Sequence, residues 1–229
     1  MPDLLRILVV DDEPAIRATV AAMLQTEGYD VAEAANGAEF VKRVEGLGLA
    51  VRVLSGEEEA CASAYGAVGA FPGAKGVVAD LGGGSLELVA VSDGACGEGA
   101  TFPLGTLRLP ALRAGGNFPR KIGKMLKGAG WTRRGDPLYM IGGTWRAFAV
   151  YAMRSLDHPM TDPHAFTLGA REAASLAERV ARASPAELTE QRGISRMRAE
   201  KLPDAAALLG VLLAELEPPA LIFSSWGLR

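Results

Sequence analysis

The sequence predicts an α/β protein, and three observations carry that prediction. Strand-like and helix-like segments alternate from residue 6 onward, the pattern of a mostly parallel sheet covered on both faces. Two apolar strands run directly into glycine–hydroxyl turns, one at 76–85 and one at 138–144. A chain of 229 residues with 49% hydrophobic content is long and apolar enough to bury a core in one or two domains.

The first predicted strand, Arg6–Val10, ends in Asp11-Asp12-Glu13, and Pro14 follows where a first helical turn tolerates it. Ile16, Val20, Met23 and Leu24 recur at helical spacing through a helix over Pro14–Glu27. Gly28 closes it, and Asp30–Ala34 reads as a second strand. A helix over Ala38–Glu45, a strand over Ala50–Leu54 and a helix over Glu57–Gly66 complete a first lobe. The second lobe starts with a hairpin over Gly76–Ala90 and a strand near Gly99–Leu109. A helix near Phe118–Gly130, a strand at Leu138–Ile141 and alanine-rich helices at Ala170–Ala183 and Ala205–Leu216 follow.

The chemistry concentrates in the two glycine turns. In VVADLGGGSLELV the strand delivers Asp80, and Gly82, Gly83 and Gly84 let backbone amides approach an anion closely. Ser85 adds a hydroxyl, and Asp80 is placed to hold a hydrated Mg²⁺ beside phosphate oxygens. A ligand-free glycine hairpin is the competing reading. In LYMIGGTWRAFA, Gly142, Gly143 and Thr144 repeat the arrangement ahead of a helix. Two such turns are the arrangement with which the actin, hexokinase and Hsp70 superfamily faces a polyphosphate. Upstream, SGEEEA opens a helix with Glu57, Glu58 and Glu59, residues that also suit a helix dipole without any catalytic role.

Taken in order, SGEEEA, VVADLGGGSLELV, FPLGTLRL, IGGTWRAFA and GISRMRAEKLPDAA resemble the exopolyphosphatase/guanosine-pentaphosphate phosphohydrolase family from about Asn36 to the C-terminus. The resemblance implies a two-lobed, actin/hexokinase/Hsp70-like (ribonuclease H-like) fold. It also implies metal-dependent hydrolysis of terminal phosphoanhydride bonds in polyphosphate or guanosine pentaphosphate, with Mg²⁺ as cofactor and a homodimer as a possible assembly. By position Glu59 matches the residue that activates water, Asp80 the carboxylate of a phosphate loop, and Gly82, Gly83, Gly84 and Ser85 its cradle. Gly142, Gly143 and Thr144 match the later glycine turn, and Arg198 the arginine of a late Arg-Ala pair.

The opening residues resemble a different family. Leu5–Asn36 is similar to the first strand–helix–strand of a response-regulator receiver, in which the pair matching Asp11 and Asp12 binds Mg²⁺. An acidic strand-to-helix junction that only caps the helix is the alternative. No phospho-accepting aspartate, Ser/Thr or Lys follows in the receiver pattern, so the chain reads as a hybrid (chimera) joined near Asn36-Gly37. The expected parts are a receiver-like fragment at 1–36, a remnant of the first phosphohydrolase lobe at 37–70 and the second lobe at 71–229. The first lobe is thus incomplete, supplemented by the receiver-like unit, and the Asp-x-Gly-Ser loop that the family carries on its first strand is missing. A non-catalytic chimeric or signalling protein is therefore the alternative function.

Composition sets the remaining expectations. A net charge of −3 gives no case for nucleic acid, and no apolar run reaches the length of a membrane span, so a cytoplasmic location is expected. Cys61 and Cys96 provide no disulfide framework and no metal-ligand spacing, and His158 and His164 have no nearby ligand partners. Arg120, Lys121, Lys124, Lys127, Arg133 and Arg134 read either as a solvated helix face or as a track for a polyanion.

Overall fold

The computed structural model describes residues 6–226 apart from 12, 53 and 132, and the chain divides into two compact units, Met1–Val53 and Leu54–Arg229. The first unit contains β1 (Arg6–Val10), α1 (Pro14–Thr26), β2 (Asp30–Ala34) and α2 (Gly37–Glu45). The two strands pair in parallel, from Arg6 opposite Asp30 to Val10 opposite Ala34, and Arg6 also bonds the Asp30 carboxylate at 2.7 Å. The Asn36 side chain accepts from the Glu39 amide at 2.9 Å, so the Asn36-Gly37 turn is a helix cap. The apolar stripe of α1 is mostly uncovered: Ala21 is its one buried residue, while Ile16, Val20 and Met23 are exposed.

The strand expected at Ala50–Leu54 does not form at the described residues 50, 51, 52 and 54, and Val53 lies outside the described residues. β1 and β2 make a sheet of two strands by themselves. Without a partner ladder, a short apolar segment has nothing to satisfy its backbone groups in extended form. The expectation that Arg6–Val10 and Val51–Leu54 share a sheet is therefore corrected.

The second unit runs α3 (Gly56–Ala70), β3 (Gly76–Leu81), β4 (Leu86–Ser92), β5 (Ala95–Phe102), α4 (Leu109–Ala114) and α5 (Phe118–Gly128). It continues with β6 (Leu138–Ile141), α6 (Gly143–Ser155), β7 (Thr167–Gly169), α7 (Ala170–Arg182), α8 (Pro185–Thr189), α9 (Arg196–Leu216) and β8 (Ala220–Phe223). Its six-stranded sheet has the order β5-β4-β3-β6-β8-β7. β3, β6 and β8 are mutually parallel, flanked by antiparallel β4 and β5 on one side and by β7 on the other. The strand expected near Gly99–Leu109 lies earlier, at Ala95–Phe102, because Pro103 has no amide to continue the ladder.

Alternation along the strands builds two cores. Val77, Ala79, Leu81, Leu138 and Met140 face a large cluster with Trp145, Phe148 and the apolar faces of α5, α6, α7 and α9. Val78, Val89, Val91, Tyr139 and Ile141 face a smaller one, to which α3 contributes the buried Ala60, Ala64 and Ala67, with the half-buried Val68 against it. Cys61 of α3 is joined to Cys96 of β5 by a disulfide, across a Cα–Cα distance of 6.0 Å. That pairing corrects the expectation drawn from the cysteine count, because folding the hairpin under α3 brings together residues 35 apart in sequence. No described helix is long and apolar enough to cross a membrane.

Candidate functional site

β3 carries Asp80 to the end of its strand, where the antiparallel register sets it opposite Glu87 of β4. The Gly82 amide donates to the Ser85 carbonyl at 3.0 Å and closes the turn between the strands. The carbonyls of Gly82 and Gly83 accept from Thr106 at 3.0 Å and Leu107 at 2.9 Å, which ties the turn to the segment after β5. The Gly83 and Gly84 amides have no backbone partner among the described residues.

The second glycine turn leaves β6 beside the first. Gly142 has φ of 115°, and a Cβ there would lie 2.9 Å from the Leu81 carbonyl oxygen and 3.3 Å from Oδ1 of Asp80. Only glycine fits both the conformation and the space. α6 starts at Gly143 with no side-chain cap, so its first-turn amides and the positive end of its dipole stay open to an anion. The Arg198 guanidinium from α9 lies against the same turn, with Nη2 3.4 Å from where a Gly143 Cβ would be.

The three glutamates of α3 separate into three roles. Ser55 and Glu58 form a capping box: the Ser55 amide donates to the Glu58 carboxylate at 2.9 Å, and the Glu58 amide to Ser55 Oγ at 3.2 Å. Glu57 lines a different cavity, with Glu98 and Thr101. Glu59 faces the cleft, and Ser63, one turn further along α3, hydrogen-bonds the Asp80 carboxylate.

These elements enclose a cavity of about 440 Å³. Of the residues read from sequence, it is lined by Glu59, Asp80, Gly82, Gly142, Gly143 and Arg198. Gly83, Gly84 and Ser85 belong to the turn but do not line the cavity, and Thr144 is buried at 7% exposure behind it. Ser63, Arg146, Ser224, Ser225 and Trp226 also line it and were not read from sequence. Spacing held a signal for two of them, since Ser63 follows Glu59, and Arg146 follows Gly142, by one helical turn. Ser224, Ser225 and Trp226 follow β8, a strand without a sequence signature.

The electrostatics of the cleft are mixed. Burial pushes the Asp80 carboxyl above its usual value; the bond from Ser63 opposes that and the Glu59 charge adds to it. Burial likewise raises Glu87, against a hydrogen bond from Ser85, and the charges of Asp80 and Glu59 raise it further. Among the described residues no three His, Cys, Asp or Glu converge into a metal cage. Mg²⁺ does not need one, since it binds through one or two carboxylates and keeps water and phosphate oxygens as its other ligands. A desolvated Asp80, crowded by a second carboxylate, fits that donor set.

The other candidates lie elsewhere. Asp12 is outside the described residues, and Asp11 serves the β1–α1 junction. Its Oδ1 accepts from the Glu13 amide at 2.8 Å and its carbonyl from Arg17 at 2.6 Å. In the basic group, Lys127 pairs with Glu215, Arg133 with Asp136 and Arg134 with Glu217, as on a solvated ion-paired face. His164 accepts from the Ser225 amide at 3.2 Å and is stacked between Phe71 and Trp226.

The sequence model of the Ppx/GppA phosphatase family matches residues 29–229. The match begins upstream of the join expected at Asn36-Gly37, so β2 falls within it. No curated protein is a significant match. Among solved structures the chain is similar to the Aquifex aeolicus PPX-GPPA enzyme, at 21% identity and a TM-score of 0.72, over 95% of this chain and 80% of that one. A second Aquifex aeolicus Ppx/GppA structure matches at 24% identity and a TM-score of 0.70, over 95% and 78%. An exopolyphosphatase from Cytophaga hutchinsonii matches at 17% and 0.69, over 93% and 78%. A 95% match exceeds the share of the chain that residues 29–229 make up, so the shared fold extends before residue 29.

Proposed function

The chain belongs to the Ppx/GppA phosphatase family, and from that premise we propose that its cleft hydrolyses the terminal phosphoanhydride bond of an inorganic or nucleoside polyphosphate. The observation that carries the reading is the convergence of Glu59, Asp80, the Gly142-Gly143 helix start and Arg198 on one cavity. An acid on one wall and an amide-and-guanidinium wall opposite in charge are what in-line attack on a phosphoryl group requires.

In this reading Glu59 takes the proton from the attacking water, a task suited to an exposed carboxylate at the cleft edge. The open amides of α6 and the Arg198 guanidinium hold oxygens of the transferring phosphate and match charge as it spreads over them. The first glycine turn borders the adjoining phosphate through Gly82, its residue on the cavity wall. Mg²⁺, held by Asp80, would supply charge neutralisation between phosphates. Ser63 fixes the carboxylate rotamer of Asp80, and Glu87 keeps the local field negative enough to favour a cation there.

A second reading, phosphate binding without turnover, is favoured by one observation. β1 and β2 are parallel and joined by α1, so no glycine–hydroxyl turn joins these strands. The same parallel unit, with Asp11 at the end of β1, is what supports a receiver-like origin for the first residues. Phosphate release from polyphosphate with Mg²⁺ separates the two readings: release abolished by Glu59→Gln supports hydrolysis, and binding without release supports the second.

A further inference from the structure

We infer that Arg146 is a substrate-binding residue, which grips a linked di- or triphosphate unit together with Arg198. The inference rests on the phosphate-cleft reading above and adds to it a residue type and a minimum substrate charge.

Arg146 stands one turn into α6, its amide bonded to the Gly142 carbonyl at 3.1 Å. Side chains on a helix lean toward its N-terminus, so a residue at this position covers the turn that starts at Gly142. Its side chain is half-buried and lines the same cavity as Glu59, Asp80 and Arg198. Yet neither Arg146 nor Arg198 has an ion-pair or side-chain hydrogen-bond partner among the described residues. Some arginines of the unit are paired, as Arg113 is with Asp204 at 2.9 Å, Arg133 with Asp136 at 3.0 Å and Arg196 with Glu200 at 3.4 Å, whereas Arg146 and Arg198 are the two that line this cavity.

Two unpaired guanidiniums beside a helix N-terminus place three sources of positive potential around one cavity. Like charges so arranged repel, and an anion with several charges relieves them. A guanidinium presents a planar fork that matches two phosphate oxygens, which a lysine ammonium does not. One orthophosphate at the α6 amides and Arg198 leaves Arg146 without an anion of its own. A second linked phosphate is needed to engage both arginines, so the cleft should favour tripolyphosphate over orthophosphate, its own product.

The test is calorimetric titration of the full chain with inorganic tripolyphosphate and, separately, orthophosphate, with Mg²⁺ present, beside steady-state phosphate release. Arg146→Ala should weaken tripolyphosphate binding by about 10- to 100-fold, change orthophosphate binding by less, and flatten the salt dependence. In turnover it should raise KM more than it lowers kcat. Arg146→Lys, which keeps the charge and the helix propensity, should recover only part of the loss. Parent-like tripolyphosphate affinity in both variants, while Arg198→Ala loses binding, overturns the role of Arg146 and leaves the cleft reading standing. A parent chain that binds neither anion overturns the cleft reading, and the Arg146 assignment with it.

Discussion

Gly105 lies directly against the glycine turn: a Cβ on it would sit 2.2 Å from the carbonyl carbon of Gly84 and 2.3 Å from the amide nitrogen of Ser85. No side chain fits there, because the obstacle is backbone that cannot rotate away. The segment after β5 thereby acts as a floor that sets the height of the Gly82–Ser85 turn in the cleft. Gly105→Ala is expected to destabilise the second unit by about 1–3 kcal/mol and to displace the turn. Thermal melting with and without tripolyphosphate checks this; an unchanged melting temperature would show that the floor yields freely.

Gly83 offers the complementary experiment. A Cβ there meets only Leu107 side-chain carbons, at 3.5 Å and 3.8 Å, so Gly83→Val has room to fold. If the Gly83 amide approaches phosphate, the branched side chain should remove most of the ligand-induced rise in melting temperature. Full retention of that rise would reduce the glycine to a turn-former.

Among the glutamates of α3 the effects should differ sharply. Glu59→Gln keeps shape but removes the proton acceptor, and should lower kcat by about 10²- to 10⁴-fold with little change in affinity. Glu58→Gln perturbs the Ser55 capping box and should lower stability by about 1 kcal/mol or less. Glu57→Gln should change neither. Phosphate release and denaturant titration on the three variants decide the assignment, and equal activity in Glu59→Gln would rule it out.

Stability should fall as pH rises through the titration of Asp80 and Glu87. Both carboxyls are raised above their usual values by burial, so the folded chain binds more protons than the unfolded one in that window. Their contribution is greatest below the unfolded carboxylate pKa and is lost as pH climbs through the raised folded values. Asp80→Asn should therefore stabilise the chain at neutral pH and flatten the slope, while impairing Mg²⁺-dependent turnover. Denaturant midpoints from pH 4 to 8 test the sign; a slope that rises with pH would refute it.

The Cys61–Cys96 disulfide should matter to α3, whose buried face toward the sheet is made of alanine and Ser63. So small an apolar contact leaves the crosslink to hold the helix that carries Glu59. Reduction by a dithiol, or Cys61→Ala with Cys96→Ala, should cost about 3–4 kcal/mol for a loop of this length. A melting temperature unaffected by reductant would mean that the small core suffices.

Local sequence determined the strand–glycine turns at Asp80 and Gly142, the helix start at Ser55 and the family resemblance. Each depends on residues adjacent in the chain, where missing Cβ atoms or a capping pair fix the backbone directly. It also misled at Ala50–Leu54, where apolar character reads as a strand but only a neighbouring strand could make it one. The tertiary structure decided what depends on partners distant in the chain. It put Glu59 on the cleft wall while Glu57 faces another cavity. It brought Ser63 onto Asp80, joined Cys61 to Cys96, and set Arg146 and Arg198, 52 residues apart, on one cavity. Hydrogen bonds, burial and unpaired charge are properties of these spatial neighbours, and the order of residues along a strand or helix does not carry them.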